Sequence, residues 1–271
     1  GRRWLTLHLD SLPTVAALVI FLAMIVFGQI SYGSILQMNT MSNLLINNAH
    51  LIVLAVGLTF VILSGGIDLS VGAIIAVSSV TGVMLAQAGW SAWLVVAVMI
   101  LIGSVFGLIS GVLVQCFGVQ PFIATLALMF LGRGLASMLS TVPQRLDEDS
   151  PPILLLGEKI KIIDGPKVND LTITPGVIIA LVIVAVAFFV LHRTRTGRTV
   201  YAIGGSEQSA TLMGGLPVPR TKLLIYVISG SLAGIASVIY TARLGSAQNI
   251  TGGIGWELDA IAAAVIGGAP C

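Results

Sequence analysis

Charge is scarce in this chain of 271 residues, since Asp, Glu, Lys and Arg together make up 9% of it. Soluble globular domains carry roughly 25% charged residues. Hydrophobic residues account for 56% of the sequence, which leaves too few polar side chains to cover a soluble surface. The net charge of +2 is too small to indicate a nucleic-acid partner. The composition therefore predicts an integral membrane protein.

Cysteine, histidine and nucleotide-binding motifs are also rare or missing. The two cysteines, Cys116 and Cys271, and the three histidines lie far apart in the sequence, so neither a disulfide framework nor a metal site is predicted. The chain contains no G-x-x-x-x-G-K-[ST] phosphate loop and no G-x-G-x-x-G fingerprint. We therefore predict that the chain is not an enzyme and binds no cofactor of its own.

Long apolar runs occupy most of the chain. A helix needs roughly 20 apolar residues to cross a bilayer, and among open structures only a helix satisfies its own backbone groups in lipid. The runs thus predict an all-α, polytopic helix bundle. The predicted helices cover Pro13–Ile30, Asn43–Leu63, Ser70–Ala88, Trp93–Cys116, Pro121–Ser140, Pro175–Leu191 and Thr221–Thr241.

Glycines recur at a spacing of four in two of these predicted helices. Gly103, Gly107 and Gly111 follow this pattern in one helix, and Gly230 and Gly234 follow it in another. Small residues at this spacing lie on one face of a helix and let a second helix approach closely in lipid. We expect these faces to pack inside one bundle.

The distribution of charge predicts the orientation of the bundle. Arg2 and Arg3 precede the first apolar run, which places the N-terminus in the cytoplasm by the positive-inside rule. Six crossings then return the chain to the cytoplasm, where a loop at about 192–222 holds five Arg and Lys residues against one acid. By the same count the polar loop at about 141–172 is external, and its Pro and Gly content indicates irregular structure.

The stretch ILSGGIDLSVG (Ile62–Gly72) places a carboxyl group, Asp68, between two apolar runs. A charged group inside hydrocarbon is costly, so an acid there indicates a functional role. Gly65 and Gly66 permit a helix break, whose freed backbone groups need protein or a water-filled cavity. Three roles stay open for Asp68: a cap on the next helix, contact with a solute, or an ion pair, for which Arg133 is the obvious partner.

A second acidic stretch, GWELDAIAAAVIGG (Gly255–Gly268), has the same design, because Glu257 and Asp259 open a helix of small residues. Transporter folds often contain paired broken helices at corresponding positions of two halves. The two stretches match loosely, and together they predict broken helices beside a translocation path. The residues predicted at the helix break or along the path are Asn47, Ser64, Gly65, Gly66, Asp68, Ser70, Glu257 and Asp259.

The cytoplasmic stretch Tyr201–Pro219 predicts a short helix over Ser206–Met213. Ser206 is a typical N-cap residue, and Glu207 in the first turn favours the helix dipole. Glycine pairs flank this segment on both sides, so it reads as a rigid knob on which a motor can push. The residues predicted to couple to such a motor are Gly204, Gly205, Ser206, Glu207, Ala210, Met213 and Gly214.

Three stretches in chain order resemble the permease subunits of bacterial ATP-binding-cassette importers for monosaccharides of the ribose, xylose and galactofuranose type. They are Ala55–Gly72, His192–Gly214 and Gly255–Gly268, and Pro121–Ala136 is similar to the family too. The resemblance implies one multi-pass permease domain over residues 1–271 in the bacterial cytoplasmic (inner) membrane. It would contact membrane lipid and form the translocation path for a monosaccharide.

The resemblance also implies partners. Separate ATPase subunits use the ATP, a periplasmic or lipid-anchored binding protein delivers the sugar, and a second permease copy or a paralogue completes the path. In such permeases a short cytoplasmic coupling helix fits a groove on the ATPase, and the matching stretch here is Gly204–Gly214. On this reading Asp68 organises the broken helix beside the path.

This chain departs from the family in several places. Gly214 and Gly215 are paired where members usually have one glycine, and Ser206 stands where many have Asn. The family continues past the VIGG stretch with further helices, so we expect the chain to be C-terminally truncated relative to it. Two other functions stay open: an ion-coupled secondary transporter that uses Asp68, and a membrane scaffold that does not transport.

Overall fold

The structure is a computed structural model that describes residues 12–146, 151–163, 171–212, 215–247 and 252–267. These residues form a helix bundle with four very short strands, which confirms the predicted all-α class. The elements in chain order are α1 (Leu12–Tyr32), α2 (Met38–Leu63), α3 (Val71–Gln87), α4 (Ala92–Gln115), α5 (Pro121–Leu139), β1 (Gln144–Arg145), α6 (Pro151–Leu155), β2 (Ile160–Ile163), β3 (Leu171–Ile173), α7 (Pro175–Arg193), α8 (Arg195–Gly205), α9 (Glu207–Leu212), α10 (Val218–Leu244), β4 (Ser246–Ala247) and α11 (Trp256–Ile266).

Six of the described helices are long and apolar enough to cross a membrane: α1, α2, α4, α5, α7 and α10. The apolar helix α3 is shorter. Large apolar side chains point outward along much of the bundle, as at Phe27 and Ile30 on α1, which are 70% and 80% exposed. Such exposure is costly in water and neutral in lipid. The chain is therefore a multi-pass membrane protein.

Helix α10 lies at the centre of the bundle, packed against α2, α3 and α4. Its closest neighbour is α4, because a Cβ atom added at Gly103 or Gly107 would collide with the α10 backbone at Gly230 or Tyr226. The predicted glycine faces thus meet each other across this crossing. Close backbone approach gains van der Waals contact in a solvent that offers no hydrophobic drive between helices.

The described residues between 141 and 172 contain more regular structure than the sequence predicts. Strands β2 and β3 form an antiparallel hairpin that pairs Ile160 with Ile173, and β1 pairs with the distant strand β4. The hairpin rests on the start of α2, where the Thr172 N–H donates to Ser42 Oγ at 3.2 Å and Lys159 Nζ donates to Asn43 Oδ1 at 3.3 Å. The expectation of irregular structure was wrong here, because β4, which pairs with β1, and the start of α2, on which the hairpin rests, lie far away in the sequence.

At the opposite end of the bundle the chain forms two short helices, α8 and α9. Helix α8 was not predicted, since its sequence, rich in Arg and Thr, has the composition of a loop. Thr194 caps it, with Oγ1 accepting the Gly197 N–H at 3.3 Å. Its apolar face at Val200 and Ile203 is buried. Tertiary packing therefore decides the structure where local propensity is weak.

Candidate functional site

The helix break predicted from ILSGGIDLSVG is present inside the bundle. Helix α2 ends at Leu63 and α3 begins at Val71, and the residues between them are not helical. Gly65 has a φ of 78°, a left-handed conformation that glycine adopts without steric cost. One freed carbonyl, that of Ile67, accepts a hydrogen bond from Thr125 Oγ1 of α5 at 3.2 Å. A backbone group freed by the break thus forms a hydrogen bond with a protein side chain, as a non-helical backbone inside a membrane requires.

The second glycine of the pair is needed for packing. A Cβ atom at Gly66 would lie 2.6 Å from the hydroxyl oxygen of Tyr226 on α10, far inside van der Waals contact. Tyr226 is itself buried, so its ring has little room to move. The break and α10 therefore fit together only because this position has no side chain.

Asp68 is fully buried, and both of its carboxyl oxygens are hydrogen-bonded. Oδ1 accepts the Ser70 N–H at 2.9 Å and the Ser70 hydroxyl at 2.6 Å. Oδ2 accepts the Ser229 hydroxyl of α10 at 2.7 Å. The contact with the Ser70 N–H is an Asx-turn just before α3, and the helix itself has no side-chain cap. The carboxyl group thus links the residue just before α3 to α10.

The ion pair suggested between Asp68 and Arg133 is wrong. Arg133 on α5 lies instead near the start of α11, with Nη2 3.8 Å from Glu257 Oε1. Its guanidinium also donates to the carbonyls of Gly252 and Gly253 at 3.5 and 3.4 Å. The serine hydroxyls satisfy Asp68 without a cation, and sequence alone could not show which acid would face the arginine.

The other predicted path residues fall into separate places. Glu257 is buried, and a Cβ at Gly72 would collide with it, so this acid touches the first turn of α3. Asp259 is exposed on another side of α11. Asn47 is exposed on α2, sixteen residues before Leu63, which is roughly 24 Å along a helix axis. Ser64 directly follows α2, and its hydroxyl donates to the Val61 carbonyl at 2.7 Å.

A cluster of aromatic and polar side chains near Asn47 was missed by the sequence interpretation. The rings of His50, Tyr240 and Trp256 pack on one another, with centroids 4.5 to 5.2 Å apart. Arg243 lies beside Tyr240, and its Nη1 donates to Asn47 Oδ1. The available signal was the spacing of three between Asn47 and His50 and between Tyr240 and Arg243. That spacing puts each pair on one helix face.

The predicted cytoplasmic helix is α9, which runs from Glu207 to Leu212. Ser206 Oγ accepts the Ser209 N–H at 3.2 Å, as an N-cap does. Ala210 is buried in a small cluster that α9 shares with α8 and the start of α10. Met213 and Gly214 lie outside the described residues.

The glycine pair before α9 belongs to α8 rather than to a free hinge. Gly204 and Gly205 are the last two residues of that helix, and Gly205 is exposed. A Cβ at Gly204 would collide with the carbonyl of Leu63, the last residue of α2. Helix α8 therefore packs directly against the end of α2, where the helix break begins.

A row of side chains on α10 joins α9 to the break. Lys222 Nζ donates to both carboxylate oxygens of Glu207 at 2.8 and 2.9 Å. Tyr226 and Ser229 follow at positions i+4 and i+7, on the same face of the helix. They contact Gly66 and Asp68 respectively. A displacement of α9 thus has a short, continuous route through α10 to the residues that hold the break.

Nothing in the described part of the chain brings together three or more His, Cys, Asp or Glu side chains as a metal site requires. The functional groups are instead hydroxyls, carboxyls and helix contacts. This arrangement suits movement of helices against one another.

Known proteins with similar sequences are transport permeases. Fructose import permease protein FruG of Bifidobacterium longum is 55% identical over 258 residues, covering 95% of this chain and 75% of FruG. Ribose import permease protein RbsC of Escherichia coli K12 is 36% identical over 272 residues, covering 99% of this chain and 80% of RbsC. D-allose transport system permease protein AlsC of the same strain is 34% identical over 260 residues, covering 96% and 76%.

No solved structure matches the chain. Residues 40–270 match a family model described as a branched-chain amino acid transport system / permease component. The match extends from the start of α2 through the described part of α11, so it includes the break, the short helices α8 and α9, and α10. The chain therefore belongs to this family of transport-system permease components.

Proposed function

We propose that the chain is the membrane permease subunit of an ATP-driven importer that carries a monosaccharide across the bacterial cytoplasmic membrane. The observation that supports this proposal best is the 55% identity to a fructose import permease over 95% of the chain. Relatives named for ribose and allose import are also similar over nearly the whole length. The shared substrate class of these three relatives is the monosaccharide.

We infer the orientation of the bundle from the distribution of charge. Five basic residues lie at about 192–222, so the end of the bundle with α8 and α9 faces the cytoplasm. The opposite end, with the loop at about 141–172 over the start of α2, is external. This assignment places the N-terminus of α1 on the cytoplasmic side.

The partners of this subunit are two ATPase subunits, a periplasmic or lipid-anchored sugar-binding protein, and a second permease copy or a paralogue. The permease itself hydrolyses nothing in this scheme, and ATP is used by the ATPase subunits. Helix α9 is the coupling helix, because Leu212 on its surface is 86% exposed, whereas Glu207 ties the helix to α10 through Lys222. An ATPase subunit that binds this surface can move α9 and, through it, the membrane helices.

The mechanism uses the row of contacts along α10. When the ATPase subunits close, α9 shifts, and its ion pair to Lys222 transmits the shift to α10. Ser229 on the same face then moves relative to Asp68, and Gly204 moves against the end of α2. The break at residues 64–70 is the element that yields, since it lacks the continuous backbone hydrogen bonds of a helix. Asp68 therefore acts as a positioning residue for the start of α3.

The test is sugar uptake into proteoliposomes that contain the full-length permease with its ATPase subunits and binding protein. Uptake of radiolabelled D-fructose or D-ribose is expected to require ATP on the side of the membrane that carries the ATPase subunits. It is expected to continue after an ionophore collapses the proton and sodium gradients. The alternative, an ion-coupled transporter that uses Asp68, predicts that uptake stops with the ionophore while ATP is still present. That result would reject the proposal.

A further inference from the structure

We propose that Asn47, Arg243 and Trp256, supported by His50 and Tyr240, form a binding site for the monosaccharide near the external end of the bundle. We call these five residues the aromatic–arginine cluster. The proposal rests on the proposed function, because the relatives supply the class of ligand and the geometry supplies the place. Helices α2, α10 and α11 each contribute to the cluster.

The three rings of the cluster form one packed surface. His50 lies 4.5 Å from Trp256 and 5.2 Å from Tyr240, and Tyr240 meets Trp256 edge-to-face at 4.6 Å and 78°. His50 and Tyr240 are only 4% and 5% exposed, whereas Trp256 is half-buried. The first two rings thus form a floor that fixes the third. A fixed, partly open indole is the kind of apolar surface on which the C–H face of a sugar packs.

Polar atoms of the cluster are left without partners. His50 Nδ1 and Arg243 Nε are both buried and have no hydrogen-bond partner in the structure. Native proteins rarely leave buried polar groups unpaired, so each such group calls for a ligand or an ordered water. The Arg243 Nη1 group donates to Asn47 Oδ1, which leaves the Asn47 amide nitrogen available as a donor. The unmet groups and the exposed amide lie on neighbouring residues.

This set of groups matches the chemistry of a sugar. A monosaccharide presents hydroxyls that both donate and accept, together with an apolar ring face. A guanidinium donates, an amide donates and accepts, and a neutral imidazole does both at its two nitrogens. Small-ligand sites are mostly aromatic or apolar with a few polar groups that fix orientation, and the cluster has this composition.

The position suits the first contact inside the permease. Asn43, one turn before Asn47 on α2, binds Lys159 beside the external hairpin, so Asn47 lies only about 6 Å deeper along the helix axis. Arg243 is the second residue from the external end of α10. A sugar released at the external end of the bundle therefore reaches the aromatic–arginine cluster before it reaches Glu257 or Asp68.

The experiment measures sugar binding to the full-length permease–ATPase complex in lipid nanodiscs without the binding protein. In a variant whose other tryptophans are replaced by phenylalanine, D-fructose and D-ribose are titrated while the emission of Trp256 is recorded. We expect a saturable change with at least one of the two sugars. Asn47→Leu should raise the Kd about tenfold or more, since it removes the amide and frees Arg243 from its partner.

The neighbouring residue offers a matched control. Asn48 is also exposed, but its amide donates to its own Leu44 carbonyl at 2.8 Å, outside the cluster. Asn48→Leu should leave the Kd unchanged. Asn47→Gln keeps a side-chain amide, so it should bind sugar more tightly than Asn47→Leu. If Asn47 were only structural, the two variants would bind sugar equally well whenever their thermal stabilities are equal.

Two results would overturn the site. One is an equal Kd for Asn47→Leu and Asn48→Leu, and the other is an unchanged Trp256 emission at sugar concentrations that saturate uptake. Both are measured on a preparation that imports sugar with ATP, so either result removes this site while the importer function stands. Failure of ATP-driven uptake of every monosaccharide would instead reject the proposed function.

Discussion

Ser229→Ala tests whether α10 holds the helix break through Asp68. The substitution removes the hydroxyl that donates to Asp68 Oδ2 at 2.7 Å and changes little else, because Ser229 is fully buried in a packed interface. Hydrogen bonds between membrane helices average about 0.6 kcal/mol and reach about 1.7 kcal/mol. The hydrogen bond from Ser229 to Asp68 Oδ2 should lie at the upper end of this energy range, because the carboxyl group is buried and no other described residue donates to that oxygen. We therefore expect a loss of about 1.5 kcal/mol, or roughly tenfold in the unfolding equilibrium.

The control for this prediction lies on the same helix. Ser237 is also fully buried, but its hydroxyl donates to the Gly234 carbonyl of α10 itself at 2.7 Å. Ser237→Ala leaves that carbonyl with its own helical hydrogen bond and should cost less than about 0.5 kcal/mol. The assay is the free energy of unfolding of the full-length permease in mixed micelles.

A double-mutant cycle isolates the contact. Asp68→Asn, Ser229→Ala and the double variant are compared with the unaltered protein, and the structure predicts a coupling energy of about 1 kcal/mol between the two sites. The reasoning is refuted if Ser229→Ala and Ser237→Ala destabilise equally. A coupling energy near zero refutes it as well.

Two further predictions concern the contacts on either side of this bond. Gly66→Ala places a methyl group against the Tyr226 hydroxyl, 2.6 Å away in the structure, and should destabilise the protein by about 1–3 kcal/mol; Tyr226→Phe in the same chain should recover part of the lost melting temperature. Glu207→Lys should reduce uptake per ATP while changing stability by less than about 1 kcal/mol, because its ion pair with Lys222 is partly exposed. Adding Lys222→Glu to Glu207→Lys should restore uptake per ATP. If Tyr226→Phe recovers no melting temperature, the Gly66–Tyr226 contact is contradicted, and if Lys222→Glu recovers no uptake per ATP, the Glu207–Lys222 contact is contradicted.

Much of the fold follows from the sequence because the bilayer offers no hydrogen-bond partners to the backbone. Long apolar runs have to become helices in lipid, and the predicted span Pro121–Ser140 differs from α5 by one residue. The break was also predictable, since two glycines beside a carboxyl group cannot continue a lipid-facing helix at low cost. Ser206 as a helix cap was a local signal, and the structure contains that cap.

The errors share a physical cause, which is that partners far apart in sequence decide where polar groups lie. Arg133 pairs with Glu257, 124 positions away, rather than with Asp68. Strand β1 finds its partner β4 a hundred residues later. Neither choice leaves a local trace, because periodicity reports which face of a helix is apolar and says nothing of what lies opposite it. The roles of the predicted path residues stay predictions for the same reason.

The most direct test of the account replaces α9, residues 207–212, with a glycine–serine linker in the full-length permease reconstituted with its ATPase subunits and binding protein. The quantity measured is sugar imported per ATP hydrolysed. In this account, motion of the ATPase passes from α9 through Lys222 and α10 to the helix break. The ratio should therefore fall at least about tenfold while the permease still folds and inserts. An unchanged ratio would contradict the account.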